Sequence, residues 1–236
     1  MPGHRTARRR ARGDGRADRR AGRRRRRRVS AKTVVLWRHG ETAWNSEGRF
    51  QGQGDVPLNE RGFAQARAAA PALASFRPAR IVSSDLARAR ATAQTLGDLT
   101  GLPVELDRRL REVHVGEWEG LYEADIHRLD PTFYPDVRAG RDHRRSPTGE
   151  TALEAGQRCA MGLLDIAETT PDDELVVVAG HGLAFRVALA LLMGLGLGES
   201  MLVGSMANCA WNIMRPLGDH WRLQAFNVTA EPRSAL

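Results

Sequence analysis

Three short fragments carry residue types suited to chemistry on phosphorus: Arg38-His39-Gly40-Glu41-Thr42, Ser84-Asp85-Leu86-Ala87-Arg88 and Gly180-His181-Gly182. Each follows a short apolar run: Thr33 to Trp37 (TVVLW), Ala79 to Ser83 (ARIVS) and Glu174 to Ala179 (ELVVVA). Such runs predict buried strands. Ligands of open parallel sheets bind beyond the carboxyl ends of the strands, so a shared sheet would gather two His and two Arg at one edge. Taken singly, a His after a strand reads as a satisfied structural residue. Three polar fragments at three strand ends argue for a site.

A guanidinium offers a planar fork of donors that fits phosphate oxygens, and its charge does not titrate away. Neutral imidazole can attack phosphorus and divide a hard displacement into two easier ones. The glycines beside each His would let a phosphate approach backbone N–H groups. A zinc reading is poorer, because His39 and His181 lack close i,i+4 pairing and a neighbouring Arg repels a cation. No GxxxxGK[ST] loop is present. Neither a metal nor another cofactor is expected. An alkoxide is a poor leaving group, so a pocket carboxyl must supply a proton. By residue type Glu41 and Glu112 both qualify, although Glu112, among Arg108, Arg109 and Arg111, also reads as a surface carboxylate.

The elements that must position these residues alternate along the chain. Helices are predicted over 59–76, with Asn59 as N-cap and Ala64, Ala68, Leu73 and Phe76 on one face, and over 85–100, closed by Gly101 with Pro103 beyond it. Further helices are predicted over 150–169 and 183–193, and two late strands over 208–214 and 221–227. This alternation implies an α/β fold, a three-layer αβα sandwich with a mostly parallel central sheet. Residues 121–149 break the pattern and read as an excursion over one end of the sheet.

Charge is unevenly distributed over the 236 residues, whose formal net charge is +8. Residues 1–28 hold fourteen arginines against Asp14 and Asp18, a balance of +12 that leaves −4 for the remainder. The body is therefore mildly acidic, which argues against nucleic acid as its partner. Residues 1–30, an Arg-rich tail with almost nothing to bury, read as disordered, and 31–230 as the folded domain. The chain's 35 Arg and single Lys (Lys32) suggest GC-rich coding, and Val29 suits a GTG codon, so the tail also reads as a start-site artefact. No apolar run approaches the roughly 20 residues of a membrane span. Two cysteines, Cys159 and Cys209, suit a reducing cytoplasm and no disulfide framework.

The RHGET motif, Asn45, the Ser-Asp-Leu-x-Arg element and His181-Gly182 together resemble the histidine phosphatase superfamily, whose fold is phosphoglycerate mutase-like. The likeness runs from about Lys32 to Asn227. It implies that His39 is the phosphorylated nucleophile and that Arg38, Arg88 and His181 clamp the phosphate. Asn45, Gln51, Gly52 and Gly182 fall on substrate-contacting positions. Leu110-Arg111-Glu112 resembles the family's Leu-x-Glu element, implying Glu112 as general acid and later base, with Glu41 structural. Gly182 and Leu183 follow His181, unlike the branch of secreted acid phosphatases, which places its acid there.

The superfamily holds phosphatases and mutases. Family mutases use a Lys and an Arg pair in a longer insertion; here no Lys follows Lys32, and Arg144-Arg145 lacks the flanking mutase pattern. Hydrolysis of a small phosphorylated metabolite is therefore expected. The segments around Glu112 to Gly120, Met206 to Trp211 and Phe50 to Gln53 resemble the actinobacterial glucosyl-3-phosphoglycerate phosphatase group, implying a phosphoglycerate or sugar-phosphate substrate. The alternatives are a cofactor-dependent phosphoglycerate mutase and a non-catalytic phosphate-binding regulator. A homodimer is also compatible with this reading. Trp44 and Trp118 are candidates for the pocket mouth, His114 for a pocket-facing residue. Arg138, Arg141, His143, Arg144 and Arg145 are candidates for a second anion site or a solvated face.

Overall fold

The computed structural model describes residues 33–230, so the Arg-rich segment 1–30 lies outside the described residues. The order is β1 (Thr33–Arg38), α1 (Ala43–Glu47), α2 (Glu60–Ser75), β2 (Arg80–Ser83), α3 (Ala87–Thr100) and β3 (Val104–Leu106). Single 3-10 turns follow at Arg108–Leu110 and Gly116–Trp118, then α4 (Glu123–Leu129), α5 (Phe133–Arg138), α6 (Ala152–Thr169) and β4 (Leu175–Gly180). The chain continues with α7 (Gly182–Leu192), α8 (Leu197–Ser200), β5 (Trp211–Leu217) and β6 (His220–Val228). One sheet has the strand order β3-β2-β4-β1-β5-β6. The first four strands in that order run parallel, while β5 and β6 form an antiparallel edge.

Strand side chains alternate between faces, and both faces of this sheet are covered. Val34 and Leu36 of β1 and Val176 and Val178 of β4 pack with Leu163 of α6 and Leu189 of α7. Val35, Trp37, Val177 and Ala179 pack on the other side with Leu73 of α2 and Leu96 of α3. That two-sided burial is why TVVLW and LVVVA are unbroken apolar runs rather than alternating ones. A third cluster, including Val115, Trp118, Ile126 and Phe133, forms beneath the 121–149 excursion, which caps one end of the sheet. Among the described residues no helix is long and apolar enough to cross a membrane.

The helices differ from expectation in detail. Asn59 does cap α2, its side chain accepting from the Gly62 N–H at 2.8 Å. The buried face, however, is Gly62, Ala66, Ala69, Ala70 and Leu73, while Ala64, Ala68 and Phe76 are exposed. Alanine occupies every face of this helix, so apolar spacing does not set its rotational phase. Helix α3 starts at Ala87, two residues later than predicted, because Ser84 and Asp85 are used by the site and by an ion pair. Gly101 closes it at φ 75°, as a left-handed cap. The short β3, α1 and α8 carry too few residues to show a period, and the first late strand begins at Trp211 rather than Asn208.

Candidate active site

Strands β1 and β4 are parallel neighbours with Arg38 opposite Gly180. His39 and His181 therefore leave the sheet side by side, with ring centroids 5.2 Å apart. Both rings are buried, at 3% and 0% exposure. His39 Nδ1 lies 2.7 Å from the Gly40 carbonyl oxygen. A carbonyl only accepts, so Nδ1 carries the hydrogen and Nε2 presents its lone pair. Burial, then the charges of Arg88 and Arg38, hold the His39 pKa well below the ordinary imidazole range. Burial, Arg88 and His39 do the same for His181. His181 Nε2 meets Ser84 Oγ at 2.9 Å, which gives the Ser84 of the second fragment a positioning contact.

Arg38, His39, Arg88 and Glu112 line a cavity of about 350 Å³. Arg88 is buried on α3, its two terminal nitrogens donating to the carbonyls of Gly54 and Gly52 at 2.8 Å each. Gly52 has φ 52°, and a Cβ there would meet Val115 Cγ2 at 2.5 Å, so glycine lets this loop fold onto the guanidinium. Desolvation lowers the Arg88 pKa to about 10, still far enough up to keep the charge at neutrality. Arg38 donates to the Met206 carbonyl, and Nε of both arginines is buried without a protein partner. Buried donors without partners are costly unless a ligand supplies acceptors.

Glu112 also reaches the cavity. Its Oε1 accepts from Val113 N–H at 3.0 Å and Ala184 N–H at 2.8 Å, and its Oε2 from Leu183 N–H at 3.1 Å. Leu183 and Ala184 belong to the first turn of α7, whose orphan amides anchor the Glu112 carboxyl group in place. Arg158 of α6 braces the same segment, donating to the carbonyls of Arg109 (2.8 Å), Arg111 (3.0 Å) and Glu112 (3.1 Å). Glu41 points elsewhere: Asn59 Nδ2 donates to its Oε1 at 3.0 Å, at the start of α2.

The remaining expected residues divide. Asn45 and Gln51 line the cavity, as does Gly52. Asn45 Oδ1 accepts from Thr42 N–H and from Asn208 Nδ2, and Gln51 Oε1 from Thr42 Oγ1. Gly182 packs behind Arg38, where an added Cβ would come 3.4 Å from Nε. Gly40 serves packing: its N–H donates to Thr92 Oγ1, and a Cβ would strike the Gly62 carbonyl at 2.4 Å. The reading that this N–H is open to phosphate is therefore corrected. His114 turns away, with Nδ1 at 3.1 Å from the Thr148 carbonyl. Trp118 is buried against Phe133 rather than at the mouth, and Trp44 packs on Gly54 and Gly120. Of the basic cluster only Arg145 lines the cavity; Arg144 pairs with Glu154, and Arg141 and His143 with aspartates.

Sequence reasoning did not single out Arg186, Tyr134 or Phe133, which line the cavity as well. Arg186 had a signal, being the only charged residue in the apolar helix GLAFRVALALL. Among the described residues no group of three His, Cys, Asp or Glu side chains is arranged to hold a metal ion.

The family described as Histidine phosphatase superfamily (branch 1) matches residues 34–229. A glucosyl-3-phosphoglycerate phosphatase of Mycolicibacterium vanbaalenii is 35% identical, over 86% of this chain and 97% of the relative. The glucosyl-3-phosphoglycerate phosphatase of Mycobacterium tuberculosis is 36% identical, over 87% of this chain and 99% of its own length. A solved mycobacterial glucosyl-3-phosphoglycerate phosphatase in complex with VO3 superposes with TM-score 0.79 at 35% identity, covering 84% of this chain and all of that one. With two buried histidines, the half-buried Arg38 and the buried Arg88 gathered beyond the strand ends where the fold predicts a phosphate site, this chain belongs to the histidine phosphatase superfamily.

Proposed function

We propose that this phosphoric monoester hydrolase works through a phosphohistidine on His39 and that its substrate is glucosyl-3-phosphoglycerate or a closely related phosphoglycerate ester. The observation that carries the reading is the buried, neutral His39. Its Nδ1 is tied to the Gly40 carbonyl and it lines the cavity shared with Arg38, Arg88 and Glu112. Arg38 and Arg88 hold the phosphoryl oxygens, whose charge grows in the transition state. His39 Nε2 attacks phosphorus while protonated Glu112 gives its proton to the departing oxygen. Glu112, now a carboxylate, takes a proton from the water that cleaves the phosphohistidine. Its backbone bonds hold it fixed through both halves.

The names of the relatives support the substrate, and Arg145 and Arg186 in the cavity supply positive charge for a carboxylate beyond the phosphate. The two cysteines are free rather than paired in a disulfide, which is the usage of a reducing cytoplasm, and we propose that compartment. The test is a panel of phosphorylated metabolites assayed for phosphate release and for isomer formation. Release of phosphate fastest from glucosyl-3-phosphoglycerate is the expected result. Isomerisation of phosphoglycerate without release would make the chain a mutase.

A further inference from the structure

His143, from sequence a candidate for a second anion site or a solvated face, sits between two carboxylates. Its Nε2 lies 2.7 Å from Asp130 Oδ2 and its Nδ1 2.7 Å from Asp136 Oδ2. The other oxygen of each aspartate is already accepting: Asp130 Oδ1 from Thr132 N–H and Oγ1, Asp136 Oδ1 from the Arg141 guanidinium. Both carboxylates are held below their ordinary range, Asp130 foremost by the Thr132 hydroxyl and Asp136 foremost by His143 itself. Ionised carboxylates only accept, so both ring nitrogens must donate, and the bridged ring is an imidazolium. A neutral ring would set a nitrogen lone pair against an oxygen lone pair at one end.

The bridge ties three pieces of the cap together. Asp130 ends α4, Asp136 lies on α5, and His143 belongs to the loop that leads to Arg145. Helix α5 presents Phe133, Tyr134 and Val137 to the cavity while Asp136 faces the bridge. The His143 ring stands edge-on to Phe133 at 5.5 Å, and its carbonyl accepts from Arg145 Nη1 at 2.8 Å. Arg145 in turn lies over the Phe133 ring at 5.6 Å. The charged groups facing His143 are thus Asp130 at the C-cap of α4, Asp136 from α5, Arg141 beside Asp136 and Arg145 on its own loop, while its neighbour Asp142 turns to the Leu153 N–H of α6.

We propose that His143 is a positioning residue for substrate recognition: bridged between Asp130 and Asp136, it holds the cavity wall of Phe133, Tyr134, Val137 and Arg145 against the organic part of the phosphoester. This rests on the reading that the cavity is the substrate site. The phosphoryl group itself meets the strand-end residues, which the bridge does not touch. Loss of the bridge therefore weakens capture of the ester and spares the chemical centre. Burial acts to lower the His143 pKa, but its bonds to Asp136 and Asp130 outweigh that and raise it. The wall is accordingly set at neutral pH and released as pH rises through that raised value.

The test compares wild type, His143→Asn and Asp136→Asn on p-nitrophenyl phosphate and glucosyl-3-phosphoglycerate from about pH 6 to about pH 9, with inorganic phosphate as inhibitor. For His143→Asn, kcat/KM should fall on the order of tenfold while kcat stays within about twofold. The inhibition constant of inorganic phosphate should not change. The wild type should lose kcat/KM at alkaline pH. Asp136→Asn should lose it at lower pH, and His143→Asn should lack that limb. Unchanged kcat/KM, a parallel loss of kcat or phosphate affinity, or an alkaline limb that survives His143→Asn would overturn the proposal. If His143→Asn does not fold, the shift of the limb in Asp136→Asn decides. A wild type that turns over only p-nitrophenyl phosphate would count against the substrate reading alone, since the same comparison on that ester still decides the role of His143.

Discussion

Arg38 and Gly180 are register partners on adjacent parallel strands, so the histidines that follow leave the sheet side by side, His39 lining the cavity and His181 fully buried against Ser84 Oγ. The pairing converts two distant sequence fragments into a single centre. Burial first, then the charges of Arg88 and Arg38, hold the His39 pKa well below the ordinary imidazole range, so the ring is neutral.

A covalent intermediate on His39 makes a direct prediction. His39→Ala should abolish turnover, and acid-labile phosphate labelling seen in wild type should vanish. Retention of more than a few per cent of activity, measured on purified protein free of wild type, would exclude the phosphohistidine route.

Arg88→Ala should lower kcat/KM by on the order of 10²–10³, because the charge it meets grows in the transition state. The carbonyls of Gly52 and Gly54 also lose their donors, so thermal stability should fall as well. Arg88→Lys restores a charge without the fork, and activity well below wild type is expected there. A near-normal kcat/KM in either variant would remove Arg88 from the phosphate clamp.

The two carboxylates separate by leaving group. Glu112→Gln should be severely impaired on alkyl phosphates and far less so on p-nitrophenyl phosphate, whose leaving group is stable as an anion. Glu41→Gln should show no such dependence, since its carboxylate meets Asn59 at the start of α2. The reverse pattern would assign the acid to Glu41.

Stability should depend on pH through the same histidines. His39 and His181 have depressed values in the folded state, so below about pH 6.5 the unfolded chain binds protons that the folded one does not. Stability should fall on acidification, and Tm of a His39→Gln/His181→Gln double variant should decline less steeply there. His143 works oppositely: its raised value gives stability that is present below the ordinary imidazole pKa and lost as pH rises through the folded one. A His143→Asn protein should lose Tm mainly at neutral and acid pH. Identical profiles for all three proteins would refute these assignments.

Arg158 is expected to matter although it lies outside the cavity lining. Arg158→Met strips three carbonyls of a donor, including that of Glu112. A loss of about 1 kcal/mol in stability follows from leaving these part-buried acceptors without their donor. The accompanying drop in kcat should be larger on alkyl phosphates than on p-nitrophenyl phosphate, because the carboxyl group it braces is the proton donor of the proposed mechanism. Urea unfolding and the two assays check both parts.

Much of the site was legible in the sequence, because its chemistry sits directly at strand ends. Runs buried on both faces are apolar throughout, so TVVLW, ARIVS and ELVVVA announce themselves, and the polar residues that follow must be where the sheet stops. That local logic determined the α/β class, the central strands and the identity of His39, Arg38, Arg88 and His181 as neighbours. Choosing Glu112 over Glu41 needed the family resemblance at the sequence level, since residue type left both open. Tertiary structure separates the two by place: one carboxyl meets the first turn of α7 and the cavity, the other the Asn59 cap of α2. The rotational phase of α2, where alanine lies on every face, and the fates of His114, Trp118 and the basic cluster were likewise settled only by packing. His143 shows why. Its partners Asp130 and Asp136 become neighbours only after α4 and α5 fold over the sheet, and no spacing along the chain records where two carboxylates will meet one ring.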